Sequence, residues 1–221
     1  MAQPIQVTYN LLANTTTSIL NAAASGTAVF TGLLATSVIG PNQQRLLLTV
    51  TGNESSNTFT FKGTNQAGFA ISETVAGPNN STTATVLDYV TLTAVTSKSA
   101  TAGTTSIGLW STGSTPWYYM NQNAAPVNIE ASGVVTSSST TVTWGVQYTY
   151  DDPNGFPLAF NQANATTPQP SPFNHPTLNA VAGTTSLDGP INDPVMAVRG
   201  IITNGTGTVK FTFIEAGAAS P

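Results

Sequence analysis

The chain has 221 residues, of which 40% are hydrophobic and only 6% are charged, and its formal net charge at neutral pH is −4. Lysine and arginine together number 5, too few to neutralise a nucleic-acid backbone, and this excludes DNA and RNA as main partners. The absence of cysteine excludes disulfides, thiolate metal ligands and cysteine nucleophiles. Because enzymes concentrate titratable groups at a site, so sparse a set favours contact and packing over catalysis.

The start of the chain, Met1 to Pro4, lacks the basic and apolar regions of a signal peptide. No apolar run reaches the roughly 18 residues that indicate a membrane helix. We therefore expect synthesis in a cytoplasm and no membrane partner. Without disulfides, association of several copies is a natural further source of stability, so we expect a homo-oligomer, either a trimer or a dimer.

Short segments rich in β-branched and aromatic residues recur along the chain, separated by Gly, Pro and Asn turns. The alternation is clearest at 141–150, where every second residue from Val142 to Tyr150 is valine, tryptophan or tyrosine. This pattern predicts antiparallel sheets and an all-β fold of the β-sandwich or jelly-roll kind. The predicted strands are residues 5–9, 27–34, 45–51, 58–62, 69–75, 89–95, 127–135, 141–150, 195–203 and 208–213.

A stretch of small polar residues at 111–116 predicts a linker between two strand-rich halves. We therefore expect two sandwich domains, an N-terminal one at 1–110 and a C-terminal one at 116–221. Six prolines lie between Pro153 and Pro176, and because proline cannot occupy a central strand, we expect 153–176 to be a long surface loop. Loops of this length are usually functional or interfacial, so we expect this one to contact a partner.

Aromatic residues near the predicted linker and in the proline-rich loop are the candidate contact residues. Tyrosine and tryptophan are enriched where subunits meet, and they also fill sandwich cores. A platform for sugar rings is the less favoured alternative for the group near the linker. The predicted interface residues, with the histidine that ends the loop, are Trp110, Trp117, Tyr118, Tyr119, Phe156, Phe160, Phe173 and His175.

His175 is the only histidine, and no G-x-S-x-G or H-E-x-x-H motif gives it a catalytic or metal-binding setting. A structural role in the loop is therefore favoured. The carboxylates Asp151 and Asp152, followed by Pro153, Asn154 and Gly155, offer oxygen ligands for calcium, but this order of residues is also ordinary turn chemistry. We favour the turn, and we expect no catalytic residue, no metal site and no cofactor.

Several segments resemble virion structural proteins of tailed bacteriophages. They are residues 63–68, 71–79 and 89–95 in the first half, and residues 115–117, 146–152, 175–178 and 198–207 in the second. The resemblance covers strand and turn patterns across most of 57–217, with no catalytic signature. It implies a small non-enzymatic part of a phage particle, most simply a head decoration or cement protein on the particle surface. Its implied partners are further copies of itself and the major capsid protein or other virion proteins.

The same composition fits a second class of phage protein. A tail, collar or fibre component shares it, and a carbohydrate-binding adhesin on the tail would use exposed aromatic rings and polar loops to bind a host glycan. The sequence does not separate head from tail, and both alternatives stay open at this point.

Overall fold

The computed structural model describes residues 5–11, 15–24, 26–31, 33, 43–121, 128–136, 142–153, 170–205 and 207–215. Within these residues every regular element is a β-strand. The paired strands run antiparallel, for example Thr58–Thr64 with Ala70–Ala76 and Thr143–Thr149 with Ala197–Asn204. This confirms the predicted all-β, sandwich-like fold. Across the same ranges no helix is both long and apolar enough to cross a membrane.

The strands, in chain order, are β1 (Ile5–Leu11), β2 (Leu20–Ala23), β3 (Val29–Phe30), β4 (Gln43–Val50), β5 (Thr58–Thr64), β6 (Ala70–Ala76), β7 (Thr82–Ala84), β8 (Thr91–Ser97), β9 (Thr105–Ser114), β10 (Tyr118–Tyr119), β11 (Ile129–Val135), β12 (Thr143–Thr149), β13 (Phe173–Asn174), β14 (Val181–Ala182), β15 (Leu187–Ile191), β16 (Ala197–Asn204) and β17 (Gly207–Glu215). They fall into two compact units. The N-terminal unit takes in the described residues from 15 to 113, and the C-terminal unit takes in 5–11 and those from 114 to 215.

The N-terminal unit is a sandwich of two layers. One sheet has the order β3-β8-β5-β6, and the facing layer has β9-β4-β7 with β2 beside β9. Strand β5 shows why the sequence folds this way, because Phe59 and Phe61 point into the core while Thr58, Thr60 and Lys62 alternate with them. The neighbouring strand β8 adds Leu92 and Val95 to the core, and the facing strands β4 and β9 add Leu46, Leu48, Ile107 and Leu109.

The C-terminal unit is built in the same way from other strands. One sheet has the order β1-β17-β11-β15, and the other layer has β13-β12-β16, with β14 beside β12 and β10 beside β16. Trp144 is fully buried and meets Phe211 edge to face, with ring centroids 5.9 Å apart. Gly133 is required here, because a Cβ at that position would lie 2.3 Å from the Trp144 ring. The facing layers are therefore packed without room for another methyl group.

Threonine pairs take the place of charge on the sheet surfaces. Thr60 and Thr74 on neighbouring strands share a hydroxyl hydrogen bond of 2.9 Å, and Thr64 and Thr91 share one of 2.6 Å. Such cross-strand pairs stabilise a sheet by a few tenths of a kcal/mol to about 1 kcal/mol each. The threonine-rich composition is thus explained by strand pairing.

Two expectations about domain organisation differ from the structure. Residues 105–114 form strand β9 rather than ending in a linker, because Thr105, Ile107 and Leu109 alternate into the core of the N-terminal unit. Residues 5–11 lie in the C-terminal unit rather than in a domain spanning 1–110, because β1 pairs with β17 from Ile5 opposite Phe213 to Leu11 opposite Gly207. The N-terminal unit is therefore inserted in the chain after the first strand of the C-terminal unit.

Candidate functional site

Trp110 and Trp117, the two tryptophans of the predicted interface, are both half-buried. Trp110 lies on β9, and its carbonyl accepts a hydrogen bond of 2.6 Å from the side-chain amide of Gln44. Trp117 lies in the C-terminal unit, where the Arg199 guanidinium sits 4.5 Å from the centre of its ring. A cation over an indole face is attractive, so Trp117 helps to hold a buried arginine in place.

That arginine is part of a polar network inside the C-terminal unit. Arg199 is 6% exposed, donates from Nε to the Gln147 side-chain oxygen at 2.9 Å and from Nη1 to the Ser114 hydroxyl at 3.2 Å. Next to it, the Thr115 hydroxyl accepts from the Gly200 backbone at 3.0 Å. These contacts give Trp117 a structural role in the folded unit.

Tyr118 and Tyr119 form the short strand β10 and point in different directions. Tyr118 packs against the core next to Phe213, with ring centroids 6.0 Å apart, and burial raises the pKa of its phenol. Tyr119 is 41% exposed, and its hydroxyl donates to the Asp152 carboxylate. The pair therefore supplies one core residue and one exposed residue.

Phe173 belongs to an aromatic group at the surface of the C-terminal unit. It lies opposite Tyr148 in the β12–β13 pair, and the two rings stack with centroids 5.8 Å apart and 15° between their planes. Tyr150 meets both rings edge-on, at 5.9 Å from Tyr148 and 5.5 Å from Phe173. We call Tyr148, Tyr150 and Phe173 the open aromatic cluster, because Tyr150 is 47% and Phe173 48% exposed.

The cluster continues the core of the unit out to its surface. On β12 the side chains of Trp144 and Val146 are buried, Tyr148 is partly buried against the same core, and Tyr150 follows just beyond the strand. Sequence analysis placed all of these on one face but did not connect Tyr148 and Tyr150 with Phe173. The alternation in the sequence was enough to place Tyr148 and Tyr150 on one face. Placing Phe173 beside them requires the β12–β13 pairing, which joins residues more than twenty positions apart.

A cleft of about 120 Å³ adjoins the open aromatic cluster. Its lining consists of Tyr148, His175, Pro176 and residues 190–193. The Asp193 carboxylate lies near the Tyr150 hydroxyl. Desolvation and that neighbouring carboxylate together raise the pKa of the Tyr150 phenol.

His175 is 1% exposed, and its hydrogen bonds define its tautomer. The backbone N–H groups of Thr177 and Leu178 lie 3.2 and 3.1 Å from Nδ1 and donate to it. Nδ1 is therefore unprotonated, and Nε2 carries the proton that it donates to the Pro190 carbonyl at 3.1 Å. The ring joins the chain after β13 to β15 and forms a fixed wall of the cleft.

The two aspartates after β12 act in hydrogen bonding. The Asp151 carboxylate accepts from the Ser171 backbone at 2.7 Å, and its own N–H donates to the Thr149 hydroxyl at 3.1 Å. Asp152 accepts from Tyr119. Over the described ranges, no three His, Asp or Glu side chains come together in a group that could hold a metal ion. Phe156, Phe160 and most of the predicted 153–176 loop lie outside the described residues.

The buried carboxylates of the N-terminal unit brace backbone segments. Glu54 is 2% exposed and accepts from the Asn57 side chain at 2.9 Å and from the Ala102 N–H at 2.5 Å. Glu73 accepts from the N–H groups of Val86 and Leu87, at 2.7 and 2.9 Å. Each carboxylate thus satisfies donors of a neighbouring loop, as buried backbone groups require.

Comparison with known proteins adds no family to this geometry. No protein-family model matches the chain, and no curated protein matches it in sequence.

Proposed function

We propose that the chain is a non-enzymatic structural protein of a tailed-bacteriophage particle, and that it decorates the head as a homo-oligomer bound to the major capsid protein. The resemblance of its strand and turn segments to virion proteins of tailed bacteriophages supports assignment to a phage particle. The buried polar groups support a structural role, because His175, Glu54 and Glu73 are each engaged in holding backbone segments. The observation that carries self-association is the edge formed by β1.

Among the described strands, β1 lies at the end of its sheet, and its sequence lacks the charged residues and prolines that usually protect an edge. It pairs with β17 over its whole length, and its sequence from Ile5 to Leu11 contains neither a charged residue nor proline. At the opposite end, β15 contains Asp188 and Pro190, both of which discourage pairing. An uncharged strand of this length is a template for a strand from another molecule.

Decoration of a shell would follow from repeated weak contacts. A protein that binds the assembled lattice and not free subunits shifts the equilibrium toward the intact particle by mass action. An oligomer raises the effective concentration of each further contact, so individually modest contacts suffice. A surface with few charges suits this task, because interface centres are depleted in charged residues.

Location and copy number in the particle test the proposal. Quantitative mass spectrometry of purified heads and purified tails should find this chain in heads, in numbers comparable with the major capsid protein. Recovery in the tail fraction alone, in the small numbers of a ring or fibre, would overturn head decoration and favour the tail component instead.

Charge placed on the β1 edge tests self-association. Gln6 and Thr8 are exposed, so the double variant Gln6→Glu, Thr8→Glu adds like charges to the edge without entering the core, and the carboxylate at position 8 lies opposite Lys210 of β17. We expect light scattering to show an oligomer for the wild type and a smaller species for this variant. The control Leu187→Glu, on the protected edge β15, should keep the wild-type mass. A monomeric wild type, or a double variant of unchanged mass, contradicts pairing through β1.

A further inference from the structure

The open aromatic cluster exposes more aromatic surface than folding of the unit requires. Phe173 stacks by one face on Tyr148 and is still 48% exposed, and Tyr150 is 47% exposed. A soluble protein gains by burying such rings, and contiguous exposed apolar groups rimmed by polar ones mark binding sites. Rings of this kind suit a ligand that has apolar C–H faces and polar edges.

The polar side chains beside the aromatic rings indicate which polar groups a ligand at this site would carry. Asp193 lines the cleft and is exposed near the Tyr150 hydroxyl, and a carboxylate has about four acceptor positions, so it can accept hydrogen bonds from a ligand. Asn192 is exposed at the same cleft and supplies both a donor and an acceptor. A ligand with several hydroxyl groups matches this set, because each hydroxyl both donates and accepts.

The charge of the cleft selects against anionic ligands. Its lining includes the carboxylate of Asp193 and no lysine or arginine. A phosphate, a sialic acid or a uronic acid would meet repulsion from Asp193 without a compensating cation. A proline-rich peptide fits less well than a polyol, because proline offers no backbone donor to a carboxylate. The favoured ligand is therefore neutral and rich in hydroxyl groups.

The size and rigidity of the cleft suit the hydroxyl-bearing edge of a sugar ring. Its volume of about 120 Å³ is that of about four waters at roughly 30 Å³ each, so it holds one edge of the ring while the rest of the sugar lies on the open aromatic cluster. One wall is fixed by His175, which is hydrogen-bonded to the Pro190 carbonyl, and by the prolines Pro176 and Pro190 themselves. A site formed in advance binds at a lower entropic cost.

We propose that the open aromatic cluster and the cleft at Asn192 and Asp193 bind a neutral hexopyranose unit of a glycan. The apolar face of the sugar stacks on the exposed Phe173 and Tyr150 rings, and its hydroxyl groups bond to Asp193 and Asn192. This site differs from the tryptophan-containing group near residue 117, whose rings take part in the structure of the folded protein. The proposal does not depend on head decoration.

Saturation-transfer NMR on the full chain tests the site. The probes are the methyl α- and β-glycosides of glucose, galactose, mannose, N-acetylglucosamine and N-acetylgalactosamine at millimolar concentration. We expect at least one to give saturable transfer, with the strongest signals from the protons of one ring face. No saturable transfer from any of them overturns the proposal, as does a proline-rich peptide that shifts the Tyr148 and Phe173 resonances when no glycoside does.

Variants locate the binding. Phe173→Ala removes an exposed ring and should weaken the best glycoside about tenfold, or ~1.4 kcal/mol. Tyr150→Phe and Asp193→Asn retain the shape of the site and should weaken binding by removing a hydroxyl and a charge. The control Val134→Ala, which trims another exposed apolar side chain of the same unit, should leave affinity unchanged. If the affinity for the glycoside is unchanged in Phe173→Ala, Tyr150→Phe and Asp193→Asn, the proposed location of the site is overturned. The edge-strand and copy-number measurements are independent of either result.

Discussion

The two units differ in how far their aromatic side chains are exposed. In the N-terminal unit the core contains Phe30, Phe59, Phe61 and Tyr89, each 4% exposed or less. In the C-terminal unit Trp144, Phe211 and Phe213 are also buried, but Tyr119, Tyr150 and Phe173 are exposed. Across the described residues, the strongly exposed aromatic rings all belong to the C-terminal unit. The contrast concerns aromatic rings, because the most exposed aliphatic side chains, Val29 and Val86, belong to the N-terminal unit.

Phenylalanine truncation should show this contrast most strongly. Phe59 is fully buried and stacks on Phe30 at 6.1 Å, so Phe59→Ala should lower the free energy of unfolding by about 4 kcal/mol. Phe173→Ala removes a ring that is half exposed and should cost about 1 kcal/mol or less. Urea unfolding followed by circular dichroism measures both. Equal losses would show that Phe173 is a core residue and that the contrast between the units is mistaken.

Removal of the Glu54 carboxylate should have the next largest effect. In Glu54→Ala the Ala102 N–H loses its acceptor and the Asn57 side-chain amide keeps only the Ser99 carbonyl, which should cost about 3 kcal/mol. Glu54→Gln keeps one acceptor and should cost less. Thermal unfolding of the two variants gives the order, and a Glu54→Gln variant less stable than Glu54→Ala would contradict the bracing role.

His175 is the corresponding brace of the C-terminal unit. His175→Ala should lower the free energy of unfolding by about 2 kcal/mol, because the Thr177, Leu178 and Pro190 backbone groups lose their partner. His175→Asn places an oxygen near the position of Nδ1 and should recover part of the loss. The measurement is urea unfolding, with amide exchange of Leu178 as a local readout. Full stability of His175→Ala would remove the histidine from this role.

Glu73 should give the smallest effect, seen in the pH dependence of stability. Burial raises the pKa of Glu73 above its ordinary value of 4.5, and the N–H groups of Val86 and Leu87 only partly oppose this. The folded chain therefore binds this proton more readily than the unfolded chain does. The contribution to the free energy of unfolding falls as pH rises from 4.5 through the folded pKa.

Comparison of the wild type with Glu73→Gln isolates that contribution. The stability of the wild type relative to the variant should decrease from acid to neutral pH, because glutamine does not titrate. Chemical denaturation across this range measures the difference. A wild-type advantage that grows with pH would show that the two backbone donors outweigh burial.

Local pattern predicted strands where one face is buried and the other polar. β5, β12 and β17 follow from alternation, because Phe59, Trp144 and Phe211 each lie among polar neighbours in the sequence. Residues 111–114, the end of β9, were mistaken for part of a linker, because serine, threonine and glycine are common both in turns and on strands whose neighbours supply the packing. Composition does not distinguish these cases without knowledge of the facing strand.

Long-range pairing determined the features that sequence analysis missed. Nothing local to residues 5–11 indicates that they pair with β17, and nothing local to Tyr148 indicates a stacked Phe173. Phe173 was predicted to be a contact residue from its loop alone, while Tyr150 and Asp193 were not predicted to belong to any site. The structural role of His175 was predicted from the lack of catalytic motifs, but its tautomer depends on carbonyl and N–H groups brought together by folding.

The pairing of β1 with β17 also has a consequence for biosynthesis. β1 is translated before the whole N-terminal unit, and its partner is translated last of all the strands described. At about 5–20 residues per second, β1 leaves the ribosome roughly 10–40 s before β17 is available. During that interval the inserted N-terminal unit can fold, while the uncharged strand β1 is still unpaired because β17 has not been synthesised. The C-terminal unit is therefore expected to be the slower of the two to mature, and premature pairing between nascent chains its main hazard.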